Sequence, residues 1–156
     1  MDGGVDRIHA TAIALGGAAA LIRGPSGAGK SDLALRCIDH APSALIRAPV
    51  RLVADDQVIL HRRGHQILVS SPPPIQGQIE VRGLGIVRLP HLEMAVLCLV
   101  VDLTRPEAIE RLPDPRLTVE LLGLPCSLLR LAPFEPSAAI KLLLELAKGG
   151  DVTAAI

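Results

Sequence analysis

The chain has 156 residues, of which 49% are apolar, and its 16 basic and 16 acidic side chains leave no formal net charge. That length suits one domain with a sizeable core, while neutrality without a basic block argues against an electrostatic grip on nucleic acid or an anionic membrane. Phe134 is the one aromatic residue, so the core must be built from Leu, Val, Ile and Ala, and a row of aromatics for stacking on single-stranded nucleic acid is lacking.

Near the N-terminus, the apolar run Ala10 to Ile22 has the look of a secretory core. Asp2 and Asp6 stand where a basic region belongs, however, and the run is too short to cross a bilayer. A soluble, cytoplasmic protein is expected. Residues 8–15 and 18–23 flank Gly16-Gly17, a dipeptide suited to a two-residue hairpin turn, which predicts an antiparallel strand pair whose first member carries His9.

The second of these strands runs into Gly24-Pro25-Ser26-Gly27-Ala28-Gly29-Lys30-Ser31, a complete Walker A sequence, and a helix is predicted from about Lys30 to His40. Gly24, Gly27 and Gly29 let the backbone curl so that successive N–H groups point inward at phosphate oxygens. Lys30 can reach the β- and γ-phosphates, and Ser31 offers a hydroxyl to Mg2+ at the helix N-terminus. A glycine-rich helix cap is the plainer reading, but strand, loop and helix follow in the order the motif requires. A nucleoside triphosphate or another polyphosphate is the expected ligand.

Further along, a strand ends in Leu52-Val53-Ala54, Asp55-Asp56 follow directly, and Val58 to His61 begins another strand. Arg63-Gly64-His65 reads as a turn into Gln66 to Ser70, and Pro72-Pro73-Pro74 as a rigid loop that cannot join a ladder. Ile79 to Leu89 is predicted as a strand interrupted by Gly83 and Gly85, and Ala95 to Val101 as a strand buried on both faces. Arg105 to Leu112 is predicted as a short helix and Thr118 to Leu131 as one or two strands. Ser137 to Lys148 forms an amphipathic helix with Ile140, Leu143, Leu144 and Ala147 on its apolar face. The expected organisation is a single catalytic domain over residues 1–148, α/β with a mixed sheet because hairpins alternate with crossovers, then a flexible tail over 149–156. Cys37, Cys98 and Cys126 are widely spaced in apolar surroundings and read as buried thiols, with neither a disulfide framework nor metal-ligand spacing.

Phosphoryl transfer to a hydroxyl needs positioned charge and often a carboxylate to take the proton. Asp55-Asp56 sits at a strand end, where sheet-end groups of α/β proteins face the ligand, and adjacent residues of an extended chain point apart and so can have separate tasks. Asp102, after Leu97 to Val101, fits the hydrophobic-strand-then-acid pattern equally well. Pattern alone does not choose between them.

The segment Ile79-Glu80-Val81-Arg82-Gly83-Leu84-Gly85-Ile86-Val87, with its glycines and its Glu/Arg pair, resembles the signature of the HPr kinase/phosphorylase family. Ile8-His9, the serine-containing Walker loop, Arg51-Leu52-Val53-Ala54-Asp55-Asp56 and Ser71-Pro72-Pro73-Pro74-Ile75 follow the same order, so that the resemblance spans about residues 7 to 147. It resembles in particular the short alphaproteobacterial form that consists of the catalytic domain alone. The resemblance implies a fold like the nucleotide-binding core of phosphoenolpyruvate carboxykinase. It also implies transfer of the γ-phosphate of ATP to a serine of HPr, the phosphocarrier of the phosphotransferase system, and hexamers among full-length members. By position it makes Asp56 the base, sets Asp55 beside the metal, gives Mg2+ to Ser31 and Glu80 and phosphate neutralisation to Lys30, and adds His9, Arg82 and Arg111 to the active site. One departure has consequences. Where the family carries Pro-Val-Arg-Pro-Gly-Arg, this chain has Ala132-Pro133-Phe134-Glu135-Pro136-Ser137-Ala138, without the arginines that help to bind phosphate for the reverse phosphorolysis. That reverse reaction is expected to be weak or lost. A different small-molecule kinase with a Walker loop, or a nucleotide-binding regulator without turnover, are the alternative functions.

Overall fold

The run Ala18–Arg23 carries no polar face because both of its faces are covered. Ala18, Ala20 and Ile22 pack into a cluster that includes Leu33, Leu142 and Leu146 of two helices, whereas Ala19 and Leu21 belong to a second cluster across the sheet. The computed structural model describes residues 2–40 and 42–149. The tail expected from 149 onward lies outside them except for Gly149, which closes the last helix.

Strand β1 (Asp2–His9) is followed by β2 (Thr11–Leu15), which turns at Gly16-Gly17 into β3 (Ala18–Arg23). After the glycine loop come α1 (Lys30–His40), β4 (Val50–Ala54), β5 (Gln57–Arg63) and β6 (Gln66–Ser70). Next are β7 (Gln78–Val81), β8 (Gly85–Arg88), β9 (Met94–Leu103), β10 (Thr118–Leu121), β11 (Leu124–Leu131) and α2 (Ala138–Gly149). Among the described residues, nine strands make one mixed sheet in the order β1-β5-β6-β9-β3-β2-β4, with β11 also on β9 and β10 on β11.

The long strand β9 changes neighbour along one edge. Its first residues, Met94 to Val96, pair antiparallel with β6, and Val100 to Leu103 pair parallel with β11, while β3 takes the other edge. The switch falls at a bulge, where Ala19 faces Leu97, Ala20 faces Leu99 and Cys98 is the extra residue.

Register brings the site together. Thr11 at the start of β2 pairs with Ile22 near the end of β3, and Ala12 with Ala54 at the end of β4. The glycine loop and Asp55-Asp56 therefore leave the sheet on either side of β2, at the same end.

Three sequence expectations are corrected. His9 is not on the hairpin strand: it ends β1, which pairs with β5, and Ala10 separates it from β2. Residues 79–89 do not form one strand but fold back as the separate hairpin β7-β8, because Gly83 and Gly85 take φ of 89° and 97° and reverse the chain. Arg105 to Leu112 is no α-helix. Only Pro106–Ala108 makes a 3-10 turn, and Pro113 disfavours helical geometry at Leu112. In α2 the buried stripe is Ala138, Ala139, Leu142, Leu143, Leu146 and Ala147, with Ile140 and Leu144 half-buried at its flank.

Candidate active site

A polar cavity of about 450 Å³ opens at this end of the sheet, lined among others by His9, Thr11, Ser26, Gly27, Gly29, Lys30, Ser31, Asp55, Asp56, Glu80, Arg82 and Phe134. Its volume lies within the range of small-ligand sites. Its floor is the glycine loop. Gly27 and Gly29 have φ of 82° and 97°, conformations that side chains rarely adopt, and Ala28 N–H closes a tight turn on Pro25 O at 3.0 Å. Helix α1 starts directly after Gly29, whose carbonyl accepts from Leu33 N–H at 2.9 Å.

Lys30 is buried, and its Nζ donates to Gly24 O at 2.7 Å and Pro25 O at 3.0 Å. The ammonium is thus drawn back over the loop and held against it. An ammonium carries three donors, so a further hydrogen can turn to an anion in the cavity.

Asp55 ties four elements together. Its Oδ1 accepts from Thr11 Oγ1 on β2 and from Ser31 Oγ on α1, both at 2.8 Å, and its Oδ2 accepts from the Glu80 N–H of β7 at 3.1 Å. Only 6% of Asp55 is exposed, and these donors offset the cost of burying a carboxylate. Asp56 is its opposite. Its side chain is 68% exposed, and its Oδ1 lies 3.2 Å from Nδ1 of His9. Its φ is 70° and Gln57 N–H bonds back to Asp55 O at 2.8 Å, the geometry of a three-residue γ-turn. The chain reverses within a single residue, aiming one acid into the protein and its neighbour outward.

Asp102, the rival acid, is engaged elsewhere. It pairs with Arg23 across the β3–β9 register through Nε–Oδ1 at 2.8 Å and Nη2–Oδ2 at 2.9 Å, a bidentate pair outside the cavity lining. Asp102 in turn raises the pKa of Arg23. Arg111 lies in an exposed bend and is not part of the lining either. Thr11, Asp32, Leu35, Val81 and Phe134 line the cavity without having been singled out from sequence for it. For Thr11 the signal was present: it is a polar residue at the head of an otherwise apolar strand.

Among the described residues, no group of three or more His, Cys, Asp or Glu is gathered as a metal site. Mg2+ binds typically through one or two carboxylates together with substrate phosphates and keeps several waters. Ser31 and Asp55 are already joined, and the carboxylate of Glu80 begins from the residue whose N–H meets Asp55. No described helix is long and apolar enough to cross a membrane.

Sheet, glycine loop and acid pair define a mixed α/β domain with one charged cavity where the first helix begins. The chain matches the HPr Serine kinase C-terminal domain family over residues 4–149, and it belongs to that family. It is 30% identical over 151 residues to the HPr kinase/phosphorylase of Clostridium tetani, covering 90% of this chain and 47% of that protein. To the HPr kinase/phosphorylase of Burkholderia lata it is 38% identical over 130 residues, covering 77% of this chain and 38% of that protein. It therefore spans less than half the length of these relatives. Among solved structures it is similar to the Hpr(Ser) kinase/phosphatase from Coxiella burnetii, with a TM-score of 0.75 and 22% identity over 92% of this chain and 95% of that one, a likeness of fold.

Proposed function

We propose that this chain transfers the γ-phosphate of ATP to a serine hydroxyl of an HPr-type phosphocarrier protein. The observation that carries this reading is the division of labour between adjacent acids. Asp55 is buried and fastened to Ser31 in the first turn of α1, while Asp56 stands open to the cavity beside His9. One carboxylate serves the phosphate side and the other an incoming hydroxyl.

In the reaction, the serine oxygen attacks the γ-phosphorus, the bond from that phosphorus to the bridging oxygen breaks, and ADP leaves. Asp56 takes the hydroxyl proton, with His9 holding its carboxylate in place. The loop N–H groups and Lys30 stabilise charge on the transferring group, in a site where preorganised donors contribute several kcal/mol. Ser31 and Glu80, with Asp55 beside them, would hold Mg2+, which when bound neutralises phosphate charge. Arg82, at the rim, is assigned to phosphate charge as well. Within this reading the loop and sheet group with phosphate-loop domains, near the nucleotide-binding core of phosphoenolpyruvate carboxykinase.

The reverse phosphorolysis is proposed to be weak, since the turn at Pro133-Phe134 offers no arginine to a second phosphate. Incubating purified carrier with labelled ATP and either wild type, Asp56→Ala or Lys30→Ala protein tests the forward reaction. Label on a carrier serine, lost with both substitutions, supports it. Label on a small metabolite, or nucleotide binding without transfer, overturns it. Rapid pyrophosphate release from phosphoserine carrier and inorganic phosphate would contradict the weak reverse step.

A further inference from the structure

The single aromatic residue of the chain does not sit in its core. Phe134 is 72% exposed, yet it lines the cavity. The residue is at the tip of a fastened turn: Pro133 presets the backbone, Glu135 N–H returns to Ala132 O at 3.4 Å, and the Pro133 carbonyl accepts from the Arg36 guanidinium of α1. Arg36 is itself fixed by Asp32, Nε to Oδ2 at 3.0 Å. One edge of the ring rests on Gly29. A Cβ at that position would meet ring atoms at 3.0 and 3.1 Å, so only glycine lets the ring come this close to the loop.

Strand order tells which end of a bound triphosphate this ring meets. The Phe134 turn follows β11, which lies beyond β9 from β3, whereas Asp55-Asp56 follow β4, which lies beyond β2 from β3. The glycine loop leaves β3, between them. A triphosphate lying along the loop with its terminal phosphate toward Asp56 must point its other end toward Phe134; Leu35 is a further apolar residue of the cavity lining.

We infer that Phe134 is the stacking platform for the nucleobase, so that the phosphate donor is a nucleoside triphosphate recognised by its ring face as well as by its phosphates. This rests on the phosphate-loop reading above. A planar π-face accepts any base, and removing such a platform weakens binding about tenfold.

The test compares ATP with inorganic tripolyphosphate by calorimetry on wild type, Phe134→Ala and Lys30→Ala proteins. Wild type is expected to bind ATP more tightly than tripolyphosphate. With Phe134→Ala the Kd for ATP rises about tenfold, that for tripolyphosphate is unchanged, and the preference disappears. Lys30→Ala weakens both ligands. The chain has no Trp or Tyr, so Phe134→Trp supplies a lone fluorophore that ATP quenches and tripolyphosphate does not. Unchanged ATP affinity in Phe134→Ala, or equal weakening of both ligands, overturns the platform while leaving the phosphate site standing. Wild type that binds neither ligand overturns the phosphate site and the platform together.

Discussion

A carboxylate almost closed off from water needs donors, and Asp55 has them in Thr11, Ser31 and the Glu80 N–H. Asp55→Ala strands the fully buried Thr11 hydroxyl and is expected to lower stability by about 2 kcal/mol, measured by urea denaturation. Asp56 responds differently. It is exposed and in left-handed backbone, a conformation that Asn also tolerates. Asp56→Asn is therefore expected to keep the wild-type melting temperature while transfer falls by about 10² to 10⁴, the range for losing a general base. An equal loss of stability in both variants would refute this separation of roles. That two acids stood at a strand end was legible in sequence, and so was their pointing apart. Which of them is buried was not, because that depends on a threonine 44 residues before and a backbone amide 25 residues after Asp55.

Between elements, the parallel pair β3–β9 ends in the bidentate contact of Arg23 with Asp102. Both side chains are about one-third exposed, so solvent screens the pair and its loss should cost under about 1 kcal/mol. Asp102→Asn is expected to keep transfer within about threefold of wild type, because Asp102 lies outside the cavity lining. A loss of a hundredfold would return Asp102 to the mechanism. A hydrophobic strand followed by aspartate cannot reveal this from sequence, since the decisive cation arrives on a neighbouring strand 79 residues away. Elements with strong periodicity were legible: α1 begins and ends where Lys30 and His40 predicted, and the Gly16-Gly17 hairpin forms. Predictions failed where backbone punctuation outweighed side-chain pattern, at Gly83 and Gly85 of the β7–β8 hairpin and at the prolines around residues 106 to 115.

Across the molecule, a core without aromatic residues is assembled from two aliphatic clusters on opposite faces of one sheet. Composition announced that core, but not that β9 would serve two neighbours on one edge. Cys37 shows what the dense packing does to a titratable group. It is fully buried between α1 and α2, near the Ala139 carbonyl, and none of the three cysteines is in a disulfide. Burial pushes the Cys37 thiol from the ordinary 9.0 up to about 12, a rise that the nearby Arg36 charge opposes only in part. The unfolded chain then releases this proton near pH 9 while the native state keeps it to about pH 12. Stability from this group is complete below pH 9 and drains away as pH rises toward 12, by up to about 1.4 kcal/mol per pH unit. Other groups titrate in the same window, so the informative quantity is the difference between wild type and Cys37→Ala. At pH 8 the variant is expected to be less stable, by about 1 kcal/mol for the lost packing. Between pH 9 and 10.5 wild type should lose about 2 kcal/mol relative to the variant, so the two denaturation free energies should meet and then cross. Free energies that stay parallel over that range would mean that the thiol ionises in the native state as readily as in the unfolded chain, and that the face between the helices and the sheet admits water.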